Sequence, residues 1–276
     1  MHGAGNDYVY VDARGQERDW PALSVAMSDR HLGVGSDGLI LALPSEKADL
    51  RMRMFNADGS EGEMCGNGIR CLVRFAFDNG IVAAEKSPVR VETLAGVLDV
   101  TPLRDDGQGM TGARVLMGKP RLNPPEIPVA IEDVDVVIDQ PLEVAGREFR
   151  MTCVSMGNPH AVVFMDEPVD EFPLTEIGPM VEHHALFPAR VNFEIANVLD
   201  GGSVIKTRVW ERGSGITMAC GTGACAVQVA ARLNKLAGDR ATIALPGGDL
   251  TVEWSGEGEV VLEGPVATVF DGEWVE

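Results

Sequence analysis

Short apolar runs, several with polar residues at alternate positions, predict β-strands along much of the chain. Gly, Asp and Pro separate the clearest of these runs, which lie at residues 8–12, 39–43, 51–55, 89–92 and 97–101. Two other segments, 69–78 and 224–235, carry apolar residues at the spacing of an α-helix. Short strands combined with a few helices predict an α+β fold.

Comparison of the chain with itself shows that several features return in the same order about 150 residues later. The recurring pieces are Gly5-Asn6 and Gly157-Asn158, CGNG at 65–68 and CGTG at 220–223, and LAGVLDV at 94–100 and LPGGDLTV at 245–252. We therefore predict two similar α+β domains, 1–118 carrying Cys65 and 119–263 carrying Cys220. A closing segment, 264–276, follows them, and its return to the first domain is one option.

The composition is that of a globular protein and excludes two classes of partner. The chain has 276 residues, of which 45% are hydrophobic and 24% are charged, and its net charge is −19. Such a negative charge disfavours binding to nucleic acid or to an anionic membrane. The sequence shows neither a secretory signal nor an apolar run of about 20 residues. We expect a cytoplasmic protein with a small-molecule partner, and a homodimer stays open.

The cysteines divide into two groups by their surroundings. Five cysteines in a cytosol-like chain do not suggest a disulfide framework, and neither Cys-x-x-Cys nor His-Glu-x-x-His occurs, so no metal site is predicted. Three of the five are predicted to be small buried apolar residues, namely Cys71, Cys153 and Cys225. The other two, Cys65 and Cys220, lie where the predicted helices are about to begin.

The repeated Cys-Gly-x-Gly predicts a pair of reactive thiols. A helix N-terminus carries unpaired N–H groups and partial positive charge, so we expect the pKa of each thiol to be lowered toward neutrality. If Cys65 and Cys220 face each other across one cleft, one thiolate can remove a proton from a carbon while the opposite thiol delivers another. The product is the inverted stereocentre. A redox-sensing disulfide between the two cysteines is the alternative.

Other polar residues fit a small zwitterionic ligand, although each has a structural alternative. Glu211 and Arg212 offer an anion and a bidentate cation side by side, or a solvated strand end. His160 is either a structural histidine or part of the site. Several asparagines, most of them close to a glycine, suit either a ligand or turns, and these are Asn6, Asn56, Asn67, Asn158 and Asn192.

Five segments resemble the diaminopimelate epimerase family in the expected order. They are GAGNDYVYVD, FNADGSEGEMCGNGIRC, MGNPHAVVF, VNFE and WERGSGITMACGTGACA. The resemblance implies two pseudo-symmetric domains, each with a β-barrel-like sheet around a central helix. It also implies a cofactor-independent, pyridoxal-free epimerase that interconverts LL- and meso-2,6-diaminopimelate in the synthesis of lysine and peptidoglycan precursors.

The resemblance assigns roles to particular residues. It implies that Cys65 and Cys220 are the two bases and that His160 and Glu211 assist them. The substrate contacts that it implies are Asn6, Asn56, Gly66, Asn67, Asn158, Asn192, Glu211, Arg212, Gly221 and Thr222. No cofactor and no metal are implied. Gly38 departs from the pattern, because some members of the family have glutamine there.

Three other functions stay open at this stage. A proline or hydroxyproline racemase resembles this layout and also has two cysteines, but the Glu211-Arg212 segment and the asparagines suggest a ligand with a second polar end. A phenazine-type isomerase lacks the first cysteine, so Cys65 argues against it. A non-catalytic amino-acid binder or a thiol redox sensor would not exchange an α-proton.

Overall fold

The computed structural model of the chain describes residues 1–105 and 109–275. It divides into two compact units, Met1–Leu116 together with Glu263–Glu276, and Met117–Leu262. Both contain many strands and few helices, which confirms the predicted α+β class. Within the described residues, every helix is too short or too polar to cross a lipid bilayer.

The first unit is a mixed sheet with two helices, α1 (Trp20–Ser28) and α2 (Gly66–Asp78). Its strands are β1 (His2–Gly3), β2 (Asn6–Asp7), β3 (Val9–Asp12), β4 (Gly38–Leu43), β5 (Leu50–Asn56), β6 (Glu61–Gly62), β7 (Val89–Thr93), β8 (Gly96–Asp105) and β9 (Gly109–Leu116). The main sheet has the order β3-β4-β5-β7-β8-β9, and β6 pairs with β5. Two neighbouring pairs, β3 with β4 and β5 with β7, are parallel.

The second unit repeats this plan with α3 (Leu174–Glu182) and α4 (Gly221–Leu233). Its strands are β10 (Gln140–Val144), β11 (Arg147–Ser155), β12 (Pro159–Phe164), β13 (Asn192–Leu199), β14 (Val204–Glu211), β15 (Gly215–Ile216), β16 (Arg240–Leu245) and β17 (Gly248–Glu253), with β18 (Val261–Pro265) containing the boundary between the units. The order is β10-β11-β12-β13-β14-β16-β17, and the parallel pairs are β12 with β13 and β14 with β16. The repeat seen in the sequence is therefore also a repeat of topology.

Helices α2 and α4 occupy equivalent places in the two units. Each has 13 residues and begins at the glycine that follows a cysteine. Helix α2 packs on β1, β8 and β9, and α4 packs on β11, β12, β16 and β17. The sequence predicted both helices but placed their starts three residues too late, because apolar spacing does not reveal a glycine-containing first turn.

The predicted strands are also confirmed. Strand β4 is buried along most of its length, with Leu39, Ile40, Leu41 and Ala42 all at 0% exposure, which explains its continuous apolar run. Strand β13 is buried from Asn192 to Ala196 in the same way. Strand β13 carries two of the polar residues described below, Asn192 and Glu194.

Candidate active site

Cys65 occupies the N-cap position of α2. Its backbone is extended, with φ −132° and ψ 118°, and its Sγ accepts a hydrogen bond of 3.3 Å from the N–H of Gly68. The first N–H groups of a helix have no partner within the helix, so the sulfur takes the place that a serine oxygen has in other caps. The thiol therefore lies at the positive end of α2.

Cys220 caps α4 with nearly the same geometry. Its φ is −119° and its ψ is 116°, and the N–H of Gly223 donates to its Sγ over 3.3 Å. Its side chain also lies 3.4 Å from the Oγ1 of Thr222. The prediction that two equivalent helix starts each hold a cysteine is confirmed.

A carboxylate holds the amide that faces Cys65. The Cys65 thiol donates to Asn6 Oδ1 over 3.3 Å, and Asn6 Nδ2 donates to Asp37 Oδ2 over 2.6 Å. Arg30 binds both Asp37 and Asp7. Burial raises the pKa of Asp37. Asp37 was not predicted from the sequence, although it fixes the orientation of Asn6.

Tyr8 and Gly38 lie on the same side of the first unit. Burial, followed by the neighbouring Cys65, raises the pKa of the Tyr8 hydroxyl well above its usual value. A Cβ at Gly38 would lie 3.1 Å from Tyr8 Cε1 and 2.1 Å from the carbonyl oxygen of Phe55. The glutamine of some family members therefore does not fit this backbone.

The other first-unit residues that were predicted to contact a substrate form hydrogen bonds with residues close to them in sequence. Asn56 Nδ2 donates to Ser60 Oγ over 2.9 Å across a tight turn. Asn67 is buried, and its Oδ1 accepts from Arg70 Nη2 over 3.0 Å. Gly66 is the buried first residue of α2, and its carbonyl accepts from Arg70 Nη1 over 2.9 Å.

The expectation of a lowered thiol pKa is wrong for Cys220. Burial, and then the negative charges of Glu211 and Glu194, raise the pKa of this thiol well above that of an ordinary cysteine. Hydrogen bonds from Thr222 and Gly223 oppose this shift but do not outweigh it. The helix terminus favours the thiolate, whereas desolvation and two carboxylates favour the thiol more strongly.

Glu211 is the carboxylate beside Cys220, at the end of β14. Its Oε1 accepts a hydrogen bond of 2.5 Å from Thr217 Oγ1. Burial raises the pKa of Glu211, while hydrogen bonds from Thr217 and Cys220 lower it. The Cys220 thiol therefore lies within hydrogen-bonding reach of the Glu211 carboxyl.

Asn158 and His160, both predicted, lie in one hydrogen-bonded group with Thr222. His160 is fully buried, and its Nδ1 lies 2.7 Å from Glu194 Oε1 while its Nε2 lies 3.0 Å from Asn158 Oδ1. Asn158 Nδ2 donates to Thr222 Oγ1 over 3.2 Å. Glu194 was missed as a site residue. The available signal in the sequence was a single acidic residue in the strand β13, between the apolar Phe193 and Ile195.

Asn192, the first residue of β13, connects the start of β12 to the turn that carries Arg212. Its Nδ2 donates to the carbonyl of Pro159 over 2.8 Å, and its Oδ1 accepts from the N–H of Arg212 over 2.9 Å. The Arg212 side chain is exposed, and its Nη1 donates to the carbonyl of Ala189 over 3.0 Å. Asn192 therefore positions the backbone that carries Arg212.

Glu182, at the end of α3, holds the same turn from its other side. It accepts hydrogen bonds from Trp210 Nε1 over 2.7 Å and from the N–H of Gly213 over 3.0 Å. Burial alone would raise the pKa of Glu182, but these hydrogen bonds, together with the neighbouring His183 and Arg190, outweigh burial and hold it below its usual value. No pattern in the sequence points to Glu182, since it lies about 30 residues before the turn that it holds.

The structure thus groups the predicted residues within each unit. Asn6 joins Cys65 in the first unit, and Asn158, His160, Glu211 and Thr222 join Cys220 in the second. Gly221 is the buried first residue of α4. In the parts of the chain that the structure describes, no three His, Cys, Asp or Glu side chains are grouped as a metal site. The placement of the two cysteines across one cleft stays a prediction.

The sequence matches one protein family along most of its length. Residues 1–123 and 152–269 match the profile described as diaminopimelate epimerase. A diaminopimelate epimerase of Acetivibrio thermocellus is 50% identical over 275 residues, which cover 99% of this chain and 96% of that protein. One from Methanococcus maripaludis is 49% identical over 275 residues, covering 99% and 97%. The resemblance found in the five segments is confirmed.

Solved structures that resemble this chain share its fold at low sequence identity. A phenazine biosynthesis protein of the PhzF family from Bacillus anthracis has a TM-score of 0.65 at 17% identity, covering 96% of this chain and 94% of that chain. A probable proline racemase from Agrobacterium radiobacter has a TM-score of 0.66 at 16% identity, covering 98% and 92%. These likenesses support the α+β architecture alone.

Proposed function

Because the chain belongs to the diaminopimelate epimerase family, we propose that it interconverts LL- and meso-2,6-diaminopimelate in the synthesis of lysine and peptidoglycan precursors. The observation that carries this proposal is the repeated thiol cap. Two cysteines begin equivalent helices, and each sulfur accepts one backbone N–H over 3.3 Å. One such thiol could be a structural cap, but a matched pair suits a reaction that needs an acid and a base.

In the proposed reaction, Cys65 and Cys220 lie on opposite faces of one substrate carbon. One thiolate removes the α-proton and becomes a thiol. The opposite thiol gives its proton to the other face and becomes a thiolate, so the stereocentre is inverted and the total number of protons on the two sulfurs is unchanged. The next turnover of the same isomer requires the two sulfurs to return to their first protonation states.

The helix starts also suit the negative charge that develops during the reaction. Gly66 and Gly221 are the first residues of α2 and α4, and N–H groups in the first turn of a helix point out of its end. We propose that these N–H groups bind the carboxylate of the reacting centre. Donors placed where charge develops lower the barrier more than they stabilise the bound substrate.

Glu211 and His160 are the proposed assistants of Cys220. Because the pKa of Cys220 is raised chiefly by burial, this residue begins as a thiol and can serve as the proton donor. In the reverse direction, Glu211 can accept the proton of the Cys220 thiol, because the pKa of the Glu211 carboxyl is also raised by burial. His160 acts from the other side of the thiol, through Asn158 and Thr222.

The distal end of the substrate needs polar recognition, which we assign to the asparagines and the turn at Glu211 and Arg212. Arg212 is exposed at a turn that Asn192 and Glu182 hold in place. A guanidinium binds a carboxylate through two parallel hydrogen bonds. The full set of proposed substrate contacts is Asn6, Asn56, Gly66, Asn67, Asn158, Asn192, Glu211, Arg212, Gly221 and Thr222. As a biosynthetic enzyme, the protein is proposed to act in the cytoplasm, which cell fractionation tests.

Incubation with LL-diaminopimelate in deuterated water tests the function. Two bases should put deuterium into the early product while the remaining substrate stays largely unlabelled, as measured by NMR and mass spectrometry. Cys65→Ala and Cys220→Ala should lose epimerisation in both directions. Cys225→Ala is the matched control, because this cysteine is buried inside α4 rather than at its start.

Each contrary result identifies another function. Exchange on L-proline but not on diaminopimelate would indicate a racemase of the proline type. Absence of exchange on every amino acid tried would indicate a binder or a redox sensor. Near-normal epimerisation by either cysteine variant would contradict the two-base mechanism.

A further inference from the structure

The hydroxyl of Tyr8 lies within hydrogen-bonding reach of the Cys65 thiol. Tyr8 is 7% exposed, and its N–H donates to the carbonyl of Met1 over 3.0 Å, which holds the backbone from which the ring projects. A buried tyrosine usually places its hydroxyl against a hydrogen-bond partner. Tyr8 and Cys65 belong to the first unit, so this contact is complete within one compact body.

The missing side chain at Gly38 leaves room for the Tyr8 ring. A Cβ at position 38 would lie 3.1 Å from Tyr8 Cε1, so the ring packs directly on the backbone of the glycine. That backbone is held in turn, because the hydroxyl of Ser36 donates to the carbonyl of Gly38 over 3.0 Å. The ring is therefore packed on a fixed backbone that keeps its hydroxyl near Cys65.

The other neighbours of Cys65 determine which of the two groups donates. A thiol has one proton, and the Cys65 thiol donates it to Asn6 Oδ1 over 3.3 Å. Asn6 presents its oxygen to the sulfur because its Nδ2 donates to Asp37 Oδ2 over 2.6 Å. In the hydrogen bond between Tyr8 and Cys65, the O–H of Tyr8 is therefore the donor and the sulfur is the acceptor.

Burial keeps the proton on the Tyr8 hydroxyl. Desolvation, followed by the charge of Cys65 and the hydrogen bond to that residue, raises the pKa of Tyr8 well above its usual value. The hydrogen bond with Asn6 lowers the pKa of Tyr8, as expected of an amide that donates to the phenol oxygen. An ordinary thiol titrates near pH ~8.5, so the O–H of Tyr8 is present throughout that titration and is directed to Cys65.

We propose that Tyr8 assists Cys65 by donating a hydrogen bond from its hydroxyl to the sulfur, which stabilises the thiolate. The inference rests on the proposed function, in which Cys65 alternates between thiol and thiolate. The sulfur then has two donors, the Tyr8 hydroxyl and the N–H of Gly68, which lies 3.3 Å away. Hydrogen bonds to an ionised acceptor are stronger than those to a neutral one, so Tyr8 favours the form of Cys65 that removes a proton.

The internal repeat of the chain supports this role for Tyr8. Tyr8 and His160 each lie two residues after the asparagine of the repeated Gly-Asn. His160 is the residue proposed to assist Cys220, and it contacts Asn158, the second of these asparagines, over 3.0 Å. The equivalent position of the first unit is therefore occupied by a side chain that reaches its own cysteine directly.

The rate of alkylation of Cys65 by iodoacetamide tests the proposed donor, because only the thiolate reacts and Cys65 is partly exposed. Trypsin cuts the full chain after Arg53 and Arg70, so peptide 54–70 contains Cys65 as its only cysteine and mass spectrometry follows this residue alone. At a pH where the thiol form dominates, Tyr8→Phe should react about three- to tenfold more slowly than wild type. This is the loss of one hydrogen bond to a charged group, partly offset by the greater nucleophilicity of a more basic thiolate.

The pH profile of the alkylation rate separates loss of a donor from a change in access to the sulfur. At high pH, where Cys65 is a thiolate in both proteins, Tyr8→Phe should no longer react more slowly. Altered access would instead slow the reaction at every pH. The other ionisable groups around the pair are the same in both proteins, and they are Asp7, Arg30, Asp37, Tyr10 and Cys71.

Tyr10→Phe is the matched control, because it removes the other tyrosine hydroxyl of the chain. That hydroxyl donates to the carbonyl of Gly68 over 3.2 Å, and its loss should leave the alkylation rate of Cys65 close to that of wild type. Thermal unfolding shows whether the variants are folded. If Tyr8→Phe is not, 3-fluorotyrosine incorporated into the Tyr10→Phe protein replaces Tyr8 alone. Its more acidic hydroxyl is a stronger donor, so Cys65 should then react faster than in the same protein with ordinary tyrosine.

An unchanged or faster alkylation rate in Tyr8→Phe, or a slower rate at every pH, overturns the proposal. Equal slowing by Tyr10→Phe also overturns it, as does a fluorotyrosine protein that reacts no faster. The experiment needs no substrate, so it is separate from the exchange assay on diaminopimelate. An inactive wild-type protein that shows the expected alkylation pattern would contradict the proposed function alone.

Discussion

Gly223 lies at the third position of α4, where a methyl group would enter the crowded space around Cys220. A Cβ there would lie 2.8 Å from Glu194 Oε1, 3.2 Å from Cys220 Cβ and 3.3 Å from Cys220 Sγ. Real side chains do not approach an oxygen this closely, so Gly223→Ala must displace the carboxylate or the start of the helix. The carboxylate is fully buried and bound to His160, and it therefore cannot move into solvent.

The expected change in the free energy of unfolding combines one stabilising contribution and two destabilising contributions. Alanine is better than glycine inside a helix by about 1 kcal/mol. Overpacking of a close-packed site costs about 1–3 kcal/mol, and weakening a hydrogen bond to a charged group costs a further 1–2 kcal/mol or so. We expect Gly223→Ala to lower the free energy of unfolding by about 1–4 kcal/mol.

The assay is urea denaturation followed by circular dichroism, with Gly68→Ala as the matched control at the third position of α2. A Cβ at Gly68 would lie 2.5 Å from Ile40 Cδ1, a buried terminal methyl that makes no hydrogen bond and can turn about the last bond of its side chain. The gain in helix propensity should then offset most of the cost. A Gly223→Ala protein as stable as wild type, or more destabilisation at Gly68 than at Gly223, would refute this reasoning.

Three further predictions concern the site. Arg212→Lys should raise KM for diaminopimelate while the fold stays intact, because an ammonium cannot form both hydrogen bonds of a guanidinium. An unchanged kcat/KM would show that Arg212 is a solvated surface residue that does not bind the substrate. Glu182→Gln should destabilise the protein at neutral pH. Since the folded-state pKa of Glu182 is lowered, this difference should begin to shrink as pH falls below about 4.3, and it should disappear at lower pH, once the carboxylate is protonated in the folded state as well. A difference in stability that does not change with pH would contradict this prediction. Mild oxidation should join Cys65 to Cys220 and stop activity reversibly; full activity with both thiols still titratable would exclude their proximity.

Much of the fold could be predicted because local pattern and tertiary role agree in this chain. The apolar run at 39–43 forms most of β4, and the segment with helical spacing at 69–78 forms most of α2. The cysteine caps could be anticipated because each cysteine lies just before a segment with helical apolar spacing. The repeat of CGNG and CGTG further indicated that the two starts are equivalent.

The electrostatics of Cys220 could not be predicted from the same pattern. A helix terminus is a local feature, whereas desolvation and the charges of Glu211 and Glu194 arise from other strands. Glu194 lies on β13, well before Cys220 in sequence, and no spacing rule connects the two. Glu182 escaped prediction for the same reason, since its hydrogen bonds to Trp210 and Gly213 join α3 to a distant turn.

The duplicated cap therefore gives the two units the same backbone geometry but different surroundings. Cys65 donates to an amide that Asp37 holds in place, whereas Cys220 lies 3.4 Å from the hydroxyl of Thr222 and near the carboxyl groups of Glu211 and Glu194. In a two-base reaction the sulfurs must differ at any moment, because one has to be a thiolate while the other is a thiol. The burial and the carboxylates that raise the pKa of Cys220 favour its thiol form, so the asymmetry that the reaction needs is already present in the side chains around an otherwise symmetric pair of helix starts.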